Sequence, residues 1–140
     1  MAINKSKVSL CEFPLLVDNK GSLSVYQSGA GVPFAIQRVF TVRAGRGEVR
    51  GHHAHKQCAQ LIVCVSGSIR VKCNDGQGVQ EYLLENMGKG VLVPPGIWAE
   101  EEYLEDNSLL MVLCDRAYEP DDYIRDYGDF ENYVNVKGEI

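Results

Sequence analysis

The sequence predicts an all-β chain folded as a single antiparallel sandwich or barrel, and three observations carry that expectation. Short runs in which apolar and polar residues alternate follow one another closely, separated by Gly, Pro, Asn and Asp clusters. No segment between those runs has the three-to-four spacing of an amphipathic helix. At 140 residues, 1–140 suits one domain that buries roughly two-thirds of its unfolded surface.

Taken in order, residues 8–17 alternate poorly and are expected as one short strand ending at the turn Asp18-Asn-Lys-Gly21, with Ser22 to Gln27 returning. Gly29 to Pro33 reads as a loop. Phe34 to Val42 alternates and reads as a strand that places Ile36, Arg38, Phe40 and Val42 on one face. Leu61 to Val65 follows, then Ile69 to Cys73, the hairpin signal Asn74-Asp75-Gly76, Gln80 to Leu84, Val91 to Val93, Trp98 to Leu104 and Ser108 to Cys114. The tail from Asp121 to Tyr133 is the only plausible helical region. This is the pattern of the jelly-roll group, closed by a short C-terminal helical segment. Leu61–Val65 and Leu109–Leu113 are apolar on both faces, which implies a second buried surface, most economically a homodimer.

A net charge of -5 argues against general nucleic-acid or membrane-surface binding, since both partners are polyanions. The charge is unevenly spread. Arg38, Arg43, Arg46, Arg50 and Lys56 crowd one segment with only Glu48 against them, whereas Glu100, Glu101, Glu102, Glu105 and Asp106 crowd another. The basic segment suits an anionic ligand, or is the solvated face of a strand. Five widely spaced cysteines without a Cys-x-x-Cys pair indicate neither a disulfide framework nor a zinc knuckle. Cys64 and Cys73 lie in apolar runs and read as buried. The N-terminus leads into no long apolar segment, so neither a signal peptide nor a membrane span is expected, and a cytoplasmic setting follows.

All three histidines fall in Gly47-Glu-Val-Arg50-Gly51-His52-His53-Ala54-His55-Lys56. Alternation along a strand lets His53 and His55 share one face while His52 points away, so His52 reads as structural or interfacial. Gln60, at the start of the next apolar run, could meet the pair from a neighbouring strand. Gly47, His53, His55 and Gly67 match the first cupin motif, with Gln60 at its acidic position. Gly88, Pro94 and Gly96 match the second, with Ala99 where that motif places a histidine. A cupin metal is normally held by three histidines and a glutamate. An amide and a methyl group at two of those positions leave a remnant that should bind metal weakly. No metal or other cofactor is therefore expected, and His53 and His55 are free for proton transfer.

With these residues in hand, the chain resembles the cupin-type sugar 3,4-ketoisomerases that act on dTDP-4-keto-6-deoxyglucose. The resemblance runs through Asp18-Asn-Lys-Gly-Ser-Leu23, Pro33-Phe34, Arg38-Val39, Arg50-Gly-His-His-Ala-His-Lys56, the strand ending at Gly67, Pro95-Gly-Ile-Trp98 and Tyr123-Ile-Arg125-Asp-Tyr127. It implies a metal-independent isomerase of deoxy-amino-sugar biosynthesis, of the kind that supplies O-antigen or S-layer glycans, with a dTDP-linked 4-keto-6-deoxy sugar as substrate. It also implies that His53 is the catalytic base, with His55 beside it.

Two positions depart from the family. Lys20 stands where the family has Arg or Tyr, and Ala99 where it has His or Arg; both positions are thought to influence which C4 epimer forms. The chemistry suits the residues, because moving a keto group from C4 to C3 through an enediolate needs a base and an acid near neutral pH, and imidazole can be either. His55, Gln60 and Arg38 are candidate donors to the enediolate. Arg50, Lys56 and Arg43 are candidates for the pyrophosphate. Trp98 or Tyr123 could stack on thymine or deoxyribose, although a lone tryptophan is as commonly core. A dTDP-sugar 3,5-epimerase and a non-catalytic sugar-nucleotide-binding cupin stay open as alternatives, while a metal-dependent oxygenase is disfavoured by Gln60 and Ala99.

Overall fold

The structure is a computed structural model that describes residues 7–138. The start of the N-terminal stretch, residues 1–6, lies outside the described residues. The strands are β1 (Ser9–Glu12), β2 (Leu15–Asp18), β3 (Gly21–Ser24), β4 (Gln27–Ser28), β5 (Gly31–Val32), β6 (Arg38–Ala44), β7 (Val49–His55), β8 (Gln60–Ser66), β9 (Ile69–Asn74), β10 (Val79–Leu84), β11 (Lys89–Val93), β12 (Trp98–Tyr103), β13 (Ser108–Cys114) and β14 (Tyr123–Ile124). A 3₁₀ turn, Pro120–Asp122, precedes β14, and helix α1 (Tyr127–Gly138) ends the described chain. One five-stranded sheet has the order β1-β11-β8-β13-β6 and the other β10-β9-β12-β7-β14. The pairings within both are antiparallel, the jelly-roll arrangement expected.

The barrel core lies between the sheets and contains Ile62, Cys64, Ile69, Val71, Leu84, Val91, Tyr103 and Val112. Full burial of such aliphatic side chains contributes about 1.5–3 kcal/mol each. On the opposite face of β8, Leu61 and Val63 join Leu92 and Leu113 beneath Cys11, Phe13 and Val32. The two-faced apolar strands therefore have an explanation within the chain: its own N-terminal segment covers the outer face, and these strands do not call for a second copy. Cys64 and Cys73 are buried, and Cys11, Cys58, Cys64, Cys73 and Cys114 are all free thiols.

Several sequence expectations are corrected. Residues 8–17 are two strands, because Pro14 has no N–H to continue a ladder; β1 joins β11 while β2 pairs with β3. The expected loop at 29–33 contains β5, paired in parallel with β4. The strand expected from Phe34 begins only at Arg38, where β6 pairs with Cys114 of β13. The tail is helical only from Tyr127, since Tyr123 and Ile124 pair with His55 and Ala54 at the edge of β7. Gln60 does not come from a strand neighbouring the histidines: β7 and β8 belong to opposite sheets. Among the described residues no helix is long and apolar enough to cross a membrane.

Candidate active site

A cavity of about 220 Å³ opens between the sheets. Arg38, Phe40 and Val42 of β6 and Gln60 of β8 line one side, and Arg50, Gly51 and His53 of β7 with Glu101 and Tyr103 of β12 line the other; Tyr123 and Arg125 stand at its rim. Arg38, Phe40 and Val42, anticipated on one face, all meet the cavity, whereas Ile36, anticipated with them, precedes β6 and packs against the outer cluster instead. Strict alternation puts Arg50 and His53 on opposite faces of β7, yet both line it. The reason is a β-bulge. Ala99 pairs with His53 and Glu101 with Arg50, and the register shifts between Ala99 and Glu100, leaving His52 as the extra residue. Gly51 and His52 take the positive φ values of 91° and 53° that the bulge requires. His52 is thrown outward, with Nδ1 3.5 Å from the Glu100 carboxylate.

The two inward histidines lie edge to face, ring centroids 5.1 Å apart. His53 Nδ1 is 3.0 Å from the Gly51 carbonyl, which can only accept, so Nδ1 carries the hydrogen and Nε2 keeps its lone pair. Burial lowers the His53 pKa to about 4, with His55, Arg125 and His52 pushing the same way against the Gly51 hydrogen bond. At neutral pH it is a neutral imidazole with a free acceptor. His55 Nδ1 lies 2.8 Å from Asp122 Oδ2, a pair almost wholly buried. Burial lowers the His55 pKa too, outweighing the attraction of Asp122. Burial alone would raise the Asp122 pKa, but the His55 hydrogen bond and the backbone N–H groups of Gln57 and Cys58 prevail and hold it below the usual range. The result is a neutral His55 donating to an ionised Asp122, with His55 Nε2 buried and without a partner.

Tyr123 packs on both histidines, at 5.2 Å from His53 and 4.3 Å from His55. Arg38 donates to its hydroxyl at 3.4 Å, and the Arg125 guanidinium lies 4.2 Å from its ring centroid. Tyr123 and Arg125 also line a second, larger cavity of about 440 Å³, with Lys56 and residues of α1 including Tyr133.

Five residues singled out from the sequence do not line the smaller cavity: His55 packs against His53 and Tyr123, Lys56 lines the larger cavity, and three others lie elsewhere. Arg43 is on the other face of β6, one place out of phase with Val42, and donates to the Asn107 carbonyl. Trp98 is core: it is buried with Ala54, Ile124 and Phe130 beneath α1, its Nε1 donating to Glu100. Lys20 is exposed at the β2–β3 turn, its backbone N–H donating to Asp18.

The groups missed were Glu101, Arg125 and Asp122. Alternation along Trp98–Tyr103 carries a signal for Glu101, because positions 99, 101 and 103 are the fully buried face. Arg125 stands in the Tyr-Ile-Arg string. Asp122 is 67 residues from His55 and left no local signal.

The cupin metal positions do not supply a metal site here. Gln60, one of whose amide N–H groups donates to the Cys114 sulfur at 3.6 Å, offers a neutral carbonyl oxygen where the motif has a carboxylate, and Ala99 beside His53 offers no ligand atom. His55, Cys58 and Asp122 are close enough together to hold an ion. However, the Asp122 carboxylate is already saturated by the turn it braces, and the Cys58 thiol is pushed well up by its Cys114 hydrogen bond and by burial, so this trio fits scaffolding better than coordination.

Fold and site together define a cupin-type barrel with a histidine and three arginines around an internal cavity and a second histidine packed beside the first. The family model described as FdtA, WxcM-like, C-terminal, matches residues 6–135, and the chain belongs to that family. A TDP-4-oxo-6-deoxy-alpha-D-glucose-3,4-oxoisomerase from Aneurinibacillus thermoaerophilus is 37% identical over 123 residues, which are 87% of this chain and 88% of that one. A 3,4-ketoisomerase structure from Helicobacter canadensis superposes with a TM-score of 0.87 at 29% identity, covering 93% of this chain and 98% of the other. A sugar 3,4-ketoisomerase from Thermoanaerobacterium thermosaccharolyticum, solved in complex with TDP, gives 0.88 at 26% identity, covering 93% and 96%.

Proposed function

We propose that the protein is a sugar-nucleotide 3,4-ketoisomerase converting dTDP-4-keto-6-deoxyglucose to a dTDP-3-keto-6-deoxyhexose. The observation that carries this reading is the state of His53: a neutral imidazole, its Nδ1–H anchored on Gly51, with a free Nε2 available to a ligand in a cavity that arginines make positive. In the proposed reaction Nε2 takes the C3 proton, the imidazolium exchanges it with solvent, and His53 then delivers a proton at C4. His55 is held in one tautomer by Asp122 and sits beside it. Arg38 and Gln60, on the facing sheet, stabilise the enediolate, an effect worth about 3–4 kcal/mol per well-placed donor. Arg50 and Arg125 meet the pyrophosphate. Tyr123 and Lys56 then guide the nucleotide toward the larger cavity that shares the Tyr123 and Arg125 wall. No step uses a metal, in keeping with the donor set at Gln60 and Ala99.

The enzyme is further proposed to act as a homodimer in the cytoplasm. Five free thiols suit a reducing compartment. Among the described residues the β2–β3 hairpin pairs with no other strand, and it presents Leu16 and Leu23, at 66% and 54% exposure, to solvent. Lying outside the cavity of its own chain, Lys20 could reach a substrate only if a second copy brought it there.

The test is incubation with dTDP-4-keto-6-deoxyglucose in deuterated water after exhaustive chelation, followed by NMR. The expected result is a 3-keto product carrying deuterium at C4. Deuterium at C5 would indicate the epimerase, no incorporation a binding protein, and activity lost to the chelator a metal enzyme.

A further inference from the structure

We propose that Glu101 is a second proton carrier in this reaction, moving the hydroxyl proton between O3 and O4 of the sugar while His53 moves the carbon-bound proton between C3 and C4. The proposal rests on the ketoisomerase reading and adds a residue to it. Isomerisation exchanges two hydrogens, one on carbon and one on oxygen, and a single imidazole accounts only for the first. Glu101 lines the same cavity as His53, Arg38 and Gln60. It is 6% exposed, and its Oε2 is buried against Gly51 without a hydrogen-bond partner, so a carboxyl that lines the cavity has hydrogen-bonding capacity left unused. The neighbouring backbone is shaped around it: a side chain at Gly51 would overlap Glu101 Oε2. Glu101 is also two residues along β12 from Ala99, on the same inward face, so the polar group lost at one position has a counterpart at the other.

The surroundings favour a carboxylic acid. Burial first and the Glu100 charge second push the pKa up to about 8, against the pull of Arg50 opposite on β7. The other titratable groups around it are Tyr103 on its own strand, Cys73 from β9, His53 from β7, and Arg38, Tyr123 and Arg125 across the cavity. At neutral pH the acid can donate, as an ionised Glu101 could not.

The steps balance. His53 Nε2 takes the C3 proton, the C3–H pair becomes the C3=C4 bond, and the C4 carbonyl pair moves onto O4, which takes the proton of Glu101. The enediolate charge that Arg38 and Gln60 stabilise as it develops is thereby neutralised, and the intermediate is an enediol between an imidazolium and a carboxylate. Glu101 then takes the O3 proton, O3 re-forms a carbonyl, and the C3=C4 pair takes the proton from His53 at C4.

The test is the pH dependence of turnover in the parent and in Glu101→Gln, with dTDP affinity measured alongside. The parent should be active between a limb near pH 4, set by His53, and a limb near pH 8, set by Glu101. Glu101→Gln keeps size and polarity but cannot pass a proton; it should lower kcat by about 10²-fold with KM and dTDP affinity little changed, and lose the alkaline limb. An active parent with no alkaline limb overturns the role whatever the variant does, and so does a Glu101→Gln enzyme with parental kcat. A parent that does not isomerise the sugar at all sinks the ketoisomerase reading, and this role with it.

Discussion

The smallest decisive feature is the hydrogen on His53 Nδ1. Because the Gly51 carbonyl holds it, the ring has one job left, at Nε2, and burial keeps that nitrogen unprotonated well below neutral pH. His53→Asn preserves polarity but cannot accept a proton, so turnover should fall by about 10²-fold or more while dTDP still binds; parental turnover would remove His53 from the mechanism. The same burial has a signed effect on stability. A folded pKa of about 4 against 6.5 means that, as pH falls from 6.5 towards 4, the unfolded chain takes a proton that the folded one refuses. Stability is therefore lost over that interval. Glu101 acts in the opposite sense, its contribution being complete below pH 4.5 and lost as pH rises towards 8. Thermal melts should show Tm of His53→Asn rising relative to the parent from pH 7 to 5, and that of Glu101→Gln rising relative to the parent from pH 5 to 8. At this scale the sequence was most legible in His53, Arg38 and Gln60, which it brought to one place by motif and alternation. It was least legible in Asp122, whose partner is set only by the folded chain.

Among the elements, β7 shows what alternation can and cannot give. Its identity as the strand carrying the histidines was plain, but the bulge at His52 changes phase by one residue, and only that change lets Arg50 share a face with His53. A period-two reading has no means of locating the extra residue, although Gly51 is the residue type that permits it. Gly51→Ala puts a β-carbon at a φ of 91°, against Glu101 and 2.8 Å from the Ala99 carbonyl oxygen. The positive φ costs about 1–2 kcal/mol and the backbone contact adds to it. A total loss of about 2–4 kcal/mol is expected, read as a lower urea midpoint at unchanged slope. An unshifted midpoint would show that the bulge can relax. The early strands were misread for simpler reasons: Pro14 divides what composition joins, and β4 and β5 are too short to alternate.

For the whole molecule, the order of the main strands from β6 to β13 was readable because turn residues punctuate them, whereas their assignment to sheets was not, since, the β9–β10 hairpin excepted, neighbours in sequence from β6 to β13 lie in opposite sheets. The apolar outer face of β8 illustrates the point. It called for a cover, and residues from Cys11 to Val32 of the same chain supply one. The hairpin within that stretch stays exposed, with Leu16 and Leu23 as cross-strand partners. Leu16→Asp with Leu23→Asp should leave the fold intact and shift sedimentation from dimer to monomer; a parent that already sediments as a monomer rules the dimer out.

The division of the cavity between two sheets has a kinetic corollary. His53, Arg50 and Glu101 come from one sheet and Arg38 and Gln60 from the other, so neither sheet alone contains a site. Its strands meet partners far along the chain, as where Ser9 pairs with Leu92, and such closures are slow. During refolding from urea, far-UV circular dichroism should therefore recover before the capacity to bind dTDP. Ligand binding would act as a clock for the moment the two halves of the barrel close on each other.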